Sequence, residues 1–150
     1  MRQIKKIKRR PLEKDTFLNG LPTFLSRIYA ARGVSSLSEL DLSLKYLHHS
    51  ETIKGLDKAV GLLFEALERQ HKILIVGDFD CDGATSTALA MLVLKELKAD
   101  CHFLVPNRFE YGYGLTPEIV DLASKESPDL IVTVDNGISC IAGVECAKAA

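Results

Sequence analysis

The sequence predicts an α/β fold of the doubly wound class, a mainly parallel sheet flanked by helices and preceded by a helical N-terminal extension. Three observations carry that expectation. Apolar runs of strand length occur three times, at Lys72–Val76, Cys101–Val105 and Leu130–Val134, each bounded by polar or turn residues. A stretch of helical periodicity follows each run, and such alternation implies parallel pairing through right-handed crossovers. The 150 residues, 47% apolar and 26% charged with a formal net charge of −1, match one soluble globular domain with a real core.

The elements follow in order. Arg2, Lys5, Lys6, Lys8, Arg9 and Arg10 crowd the first ten positions, a run that serves equally as a solvated arm or as an attraction for nucleic acid phosphate. LPTFLSRIYAAR then reads as a helix ending at Gly33, and Ser36 with Glu39 forms an S-x-x-E capping box that opens a second helix, LSELDLSLKYL. Residues 1–55 are therefore expected to be a basic arm and helical extension, and residues 56–150 the chemical domain. From Leu56 to Gln70, Leu56, Val60, Leu63, Phe64 and Leu67 share one helical face, which should pack on the sheet.

After the first strand a helix is expected over Ala84–Lys98, burying Ala88, Met91 and Leu92. Thr116 and Pro117 give N-cap and N1 signals for a helix through Glu126. Ile138, Ile141 and Val144 keep helical spacing up to the last residue, so the chain is expected to stop inside an element, as a truncated piece would. No apolar stretch approaches the roughly 18 to 20 residues that span a bilayer, and MRQIKKIKRR lacks the apolar core of a secretory signal. A cytoplasmic protein without a membrane partner is the expectation. Cys81, Cys101, Cys140 and Cys146 show no CxxC spacing, so they should be reduced, with Cys101 and Cys140 as small core hydrophobes.

The chemistry concentrates in GDFDCDGATS, where Asp78, Asp80 and Asp82 stand at alternate positions directly after an apolar run. In a doubly wound sheet the carboxyl ends of the strands share one edge, where ligands bind. That edge would gather these three carboxylates, Asn107 and Arg108 after the second strand, and Asp135 with Asn136 after the third. Clustered carboxylates are costly unless water or cations compensate them, and hard divalent ions such as Mg²⁺ and Mn²⁺ prefer oxygen donors. Two such ions about 3.5–4 Å apart can activate water and stabilise a leaving alkoxide in displacement at phosphorus. Gly83 would turn the backbone into the next helix, with Thr85 and Ser86 presenting donors near its positive end. In PNRFEYGYGL, Arg108 could seat a phosphate while Tyr111 or Tyr113 stacks on bases.

Competing readings are weaker. DFDCDG opens like a calcium loop, but the twelfth position from Asp78 is Leu89 where a bidentate Glu is needed. ILIVGDFD resembles the start of a haloacid-dehalogenase-like small-molecule phosphatase, yet Ala84 stands where that pattern has Thr, and Asp135 is left without a role. A non-catalytic metal- or nucleotide-binding fragment is the other alternative. His48 and His49 sit in the helical extension with no neighbouring Asp and read as surface residues.

Taken together, GDFDCDGATS, VPNRFEYGYGL, IVTVDNGIS and SRIYAARGV resemble the N-terminal part of the bacterial single-strand-specific exonucleases of the DHH phosphoesterase family, over most of the chain. The resemblance implies a partial DHH domain and phosphodiester hydrolysis with Mn²⁺ or Mg²⁺ in a two-metal site. It implies single-stranded DNA as substrate, degraded 5′-to-3′ to mononucleotides in recombination and repair. By that resemblance Asp80, Asp82 and Asp135 are catalytic and, together with Asp78 of the first motif, are the metal ligands, Asp135 being the second-motif one. Asn107, Arg108, Tyr111, Tyr113 and Gly114 fall on the substrate side. The resemblance leaves room for DNA-repair proteins as partners, but the sequence identifies none. The Asp-His-His motif itself lies past Ala150 in this pattern, so the 150-residue piece is expected to hydrolyse little by itself.

Overall fold

The computed structural model describes Lys8 and residues 18–150. Of the basic run at the N-terminus, Arg2, Lys5, Lys6, Arg9 and Arg10 lie outside the described residues. Those described fall into two compact units, divided between Ile53 and Lys54.

The first unit contains helix α1 (Thr23–Ala30), which ends where Gly33 takes a left-handed φ of +86°. Its buried Ser26 accepts the Leu18 N–H at 2.7 Å. The second helix expected here does not form. Residues after Ser36 make three separate 3₁₀ turns, Leu37–Leu40, Leu44–Tyr46 and Ser50–Thr52. Glu39 does reach back to the Ser36 N–H at 3.0 Å, as a capping box requires. Asp41, however, is extended at the end of the first turn and takes the Ser43 N–H at 3.0 Å, a local bond that competes with helix continuation. His48 and His49 are exposed.

The second unit is a three-stranded parallel sheet in the order β2-β1-β3, with β1 at Ile73–Val76, β2 at Cys101–Leu104 and β3 at Leu130–Thr133. β1 is central and buried on both faces, which is why its sequence is a continuous apolar run. Leu74 and Val76 pack with Leu115, Ile119, Val120 and Ala123 beneath α5 (Pro117–Ser124) and α6 (Ile141–Ala149). Ile73 and Ile75 point to the other face, with Ala66 of α2 (Leu56–Glu68) and Leu94 of α3 (Cys81–Glu96). Helices therefore cover both faces, as in a doubly wound fold. A short helix, α4 (Arg108–Tyr111), follows β2. Among the described residues no helix is long and apolar enough to cross a membrane.

Three helix expectations need correction. α3 starts at Cys81, not Ala84, because Asp80 caps it: Asp80 Oδ1 accepts the N–H groups of Asp82 and Gly83 at 3.2 and 3.1 Å. Its buried face is Gly83, Thr87 and Leu94, with Ala90 and Met91 partly buried, while Ala88 and Leu92 are exposed. On α2, Ala66 and Leu63 meet the sheet, whereas Val60 and Phe64 stand 54% and 62% exposed, so the expected stripe is turned partly away. α6 begins at Ile141, leaving Ile138 fully exposed. Cys101 and Cys140 are partly buried against the two cores, and all four cysteines are free thiols.

Candidate metal centre

The parallel register aligns Val76 with Leu104 and Thr133, so the three strands end at one edge of the sheet. Within it, oxygens of Asp78, Asp80 and Asp135 lie within 4.8 Å of one another. Asp82 lies outside that triplet, in the first turn of α3, but its charge still acts on Asp135. The sheet order thus brings the tips of β1 and β3 together as neighbours.

The carboxylates differ in their surroundings. Asp78 is buried, with its side chain 8% exposed, and both its oxygens accept from Arg108 Nη2, at 3.0 and 2.8 Å. Its Oδ1 also accepts the Phe79 N–H at 2.8 Å. Asp80 commits Oδ1 to the helix cap, and its Oδ2 lies 3.8 Å from Arg108. No N–H donor or cation faces the Asp135 carboxylate among the described residues. Its carboxyl is held above the ordinary aspartate range, first by desolvation and then by the charges of Asp80 and Asp82, a shared hydrogen bond with Asp80 and the charge of Asp78. Asp135 is exposed, and the crowding of like charge around it is what a bound cation would reverse. Its backbone sits at φ +59°, a left-handed conformation that Asp tolerates better than most residues.

Close packing builds this edge. A Cβ on Gly83 would collide with the Asp78 carbonyl, so glycine here serves close approach of α3 to the strand end, not the sharp turn expected from sequence. Thr85 and Ser86 do not present their hydroxyls to a ligand; they donate back to the carbonyls of Cys81 and Asp82 at 2.8 and 2.6 Å.

The candidate substrate residues divide. Arg108 is at the centre, its guanidinium 3.7 Å from the Phe79 ring centroid and 5.5 Å from that of Tyr113. Tyr113 is 62% exposed and its hydroxyl donates to the Asp135 carbonyl at 3.2 Å, which ties the second loop to the third. Asn107 caps α4 through the Phe109 N–H at 3.1 Å and donates to Glu110. Tyr111 is partly buried against the Leu74–Val76 core, in contrast to the exposed Tyr113. Gly114, at φ +79°, is required by its conformation and by Cys140 Sγ, 2.7 Å from where a Cβ would be.

Sequence reasoning missed Phe79 and Phe109, which pair at 6.4 Å between ring centroids beside the carboxylates and are 45% and 90% exposed. The available signal was their place between charged residues, where a buried aromatic is not expected. The donor set, oxygens alone with one carboxylate that has no N–H partner among the described residues, fits a hard divalent ion.

The chain is 48% identical to the single-stranded-DNA-specific exonuclease RecJ of Escherichia coli (strain K12), over 99% of its own length and 26% of the relative. It is 41% identical to RecJ of Thermus thermophilus over 74% of the chain and 16% of that protein. A crystal structure of exonuclease RecJ bound to manganese superposes with a TM-score of 0.59 at 41% identity, covering 65% of this chain and 25% of that one. A second crystal structure, of RecJ from Thermus thermophilus in complex with Mn²⁺, gives 0.50 at 31% identity, over 82% and 19%. The chain thus spans about a quarter of the length of the Escherichia coli relative. Residues 72–150, which include all three strands, the carboxylate edge and helices α3 to α6, match the DHH family N-terminal domain, and the chain belongs to that family.

Proposed function

We propose that this chain supplies the carboxylate edge of a Mn²⁺- or Mg²⁺-dependent exonuclease that degrades single-stranded DNA 5′-to-3′ to mononucleotides, in recombination and repair in the cytoplasm. The observation that carries this reading is the convergence of Asp78, Asp80 and Asp135 at one sheet edge in a chain so similar to RecJ. Asp80, Asp82 and Asp135 would hold the metal, which when bound would activate water and neutralise charge on the phosphodiester. The chain's own residues do the rest. Arg108, fixed between Phe79 and Tyr113, offers a cation for a phosphate, and exposed aromatic rings beside it offer faces to unstacked bases. A single strand can present such bases and a duplex cannot. Residues 1–55 form an N-terminal extension in this reading, and residues 56–150 the first part of the catalytic domain.

The test exchanges this chain for the corresponding segment of the Escherichia coli relative. The chimera should release mononucleotides from single-stranded DNA with Mn²⁺ or Mg²⁺, and Asp82→Ala or Asp135→Ala in it should cut the rate by more than about 100-fold, beyond what an outer-shell change costs. A folded chimera that is inactive, or either variant at full activity, would overturn the reading.

A further inference from the structure

We infer that Asp78 is a positioning residue that pins the Arg108 guanidinium, and that it does not ligate the metal. The inference deepens the function proposed above and rests on it for the identity of the ion. An ionised carboxylate has about four acceptor sites. On Asp78, three are filled: Oδ1 takes the Phe79 N–H at 2.8 Å and Arg108 Nη2 at 3.0 Å, and Oδ2 takes the same nitrogen at 2.8 Å. A dication would have to displace a guanidinium that is also held over the Phe79 ring at 3.7 Å. The 8% exposure of the Asp78 side chain leaves little room for the waters that hard dications keep.

Its neighbours are the reverse. Among the described residues no N–H donor is hydrogen-bonded to Asp80 Oδ2, which lies 3.8 Å from Arg108 and beside the Asp135 carboxyl, and none faces Asp135. Arg108 Nε is buried and has no acceptor among the described residues. The head is therefore held chiefly by Asp78 and the rings, with Asp80 Oδ2 more distant at 3.8 Å. Pairing also removes one negative charge from the cluster, so the edge can hold its shape before an ion arrives.

Two measurements on the chain test this. In the metal-free protein, side-chain ¹⁵N NMR should resolve the Arg108 Nη signals, slowed in rotation by the pair, and Asp78→Asn should collapse them. In Mn²⁺ titrations, Asp78→Asn should stay within about 3-fold of the wild-type dissociation constant, while Asp80→Asn and Asp135→Asn each weaken it by about 30-fold or more. Arg108 signals indifferent to Asp78→Asn, or a Mn²⁺ loss in Asp78→Asn as large as in Asp80→Asn, overturn the inference. If Asp78→Asn does not fold, Arg108→Gln carries the test: affinity within about 3-fold supports the assignment, and a site about 10-fold tighter, with Asp78 released as an added ligand, overturns it. A wild-type chain that takes up no Mn²⁺ sinks the proposed function alone, and the NMR comparison then decides the pairing by itself.

Discussion

The turns after β1 and β3 present the same residue type at the same sheet edge, yet they hold it in opposite ways. After β1, Asp78 is paired with Arg108 and Asp80 caps α3, so acidic side chains there are part of the architecture. After β3, Asp135 has no N–H donor or cation among the described residues and its carboxyl is pushed up by its neighbours. A cluster of carboxylates is thus divided between members that build the edge and a member that only a proton or a cation satisfies.

Substitutions can break or sharpen this division. The largest loss is expected from Gly83→Ala, which forces a Cβ against the Asp78 carbonyl and should cost about 3 kcal/mol in urea unfolding. Arg108→Ala should cost about 2 kcal/mol by the same measurement. Stranding a fully buried partner costs about 3–5 kcal/mol, and the 34% exposure of the Arg108 side chain lowers that figure. Asp80→Ala removes the cap of α3 and should cost about 1 kcal/mol, with a matching drop in thermal midpoint.

Asp135→Asn should act with the opposite sign, raising the thermal midpoint of the metal-free chain at neutral pH. The folded carboxyl titrates above its unfolded value, so the folded state holds its proton longer and stability falls as pH rises through that interval. The variant's advantage should be full above the raised value, vanish below the ordinary aspartate range, and close when Mn²⁺ is added to the wild type. A pH-independent difference would mean that Asp135 is not strained by its neighbours.

Much of this was legible in the sequence. The three strands were readable to within one residue because each is a short apolar run ended by polar residues, and residue alternation was enough to place Asp78, Asp80 and Asp82 at a strand end. The order β2-β1-β3 was not legible, since parallel crossovers permit several orders with the same local pattern. Nor was the Asp78–Arg108 pair, which joins residues thirty positions apart through that order. Tyr111 and Tyr113, two residues apart, look alike in sequence, but only the first meets the core. The early start of α3 was hidden because Asp80 was read as a ligand, and one carboxylate oxygen can cap a helix while the other remains available. The 3₁₀ turns of the first unit show a capping signal overruled by a competing side chain a few residues later.

The left-handed backbone at Asp135 limits which replacements this position could ever accept. Most L-residues lose about 1–2 kcal/mol in that conformation, with Asn, Asp and glycine the exceptions. Of those three only aspartate carries a charge. The longer homologue glutamate, which keeps the carboxylate and adds reach, would therefore meet a backbone obstacle before its chemistry was ever tried, so mutational drift here should run toward asparagine and glycine.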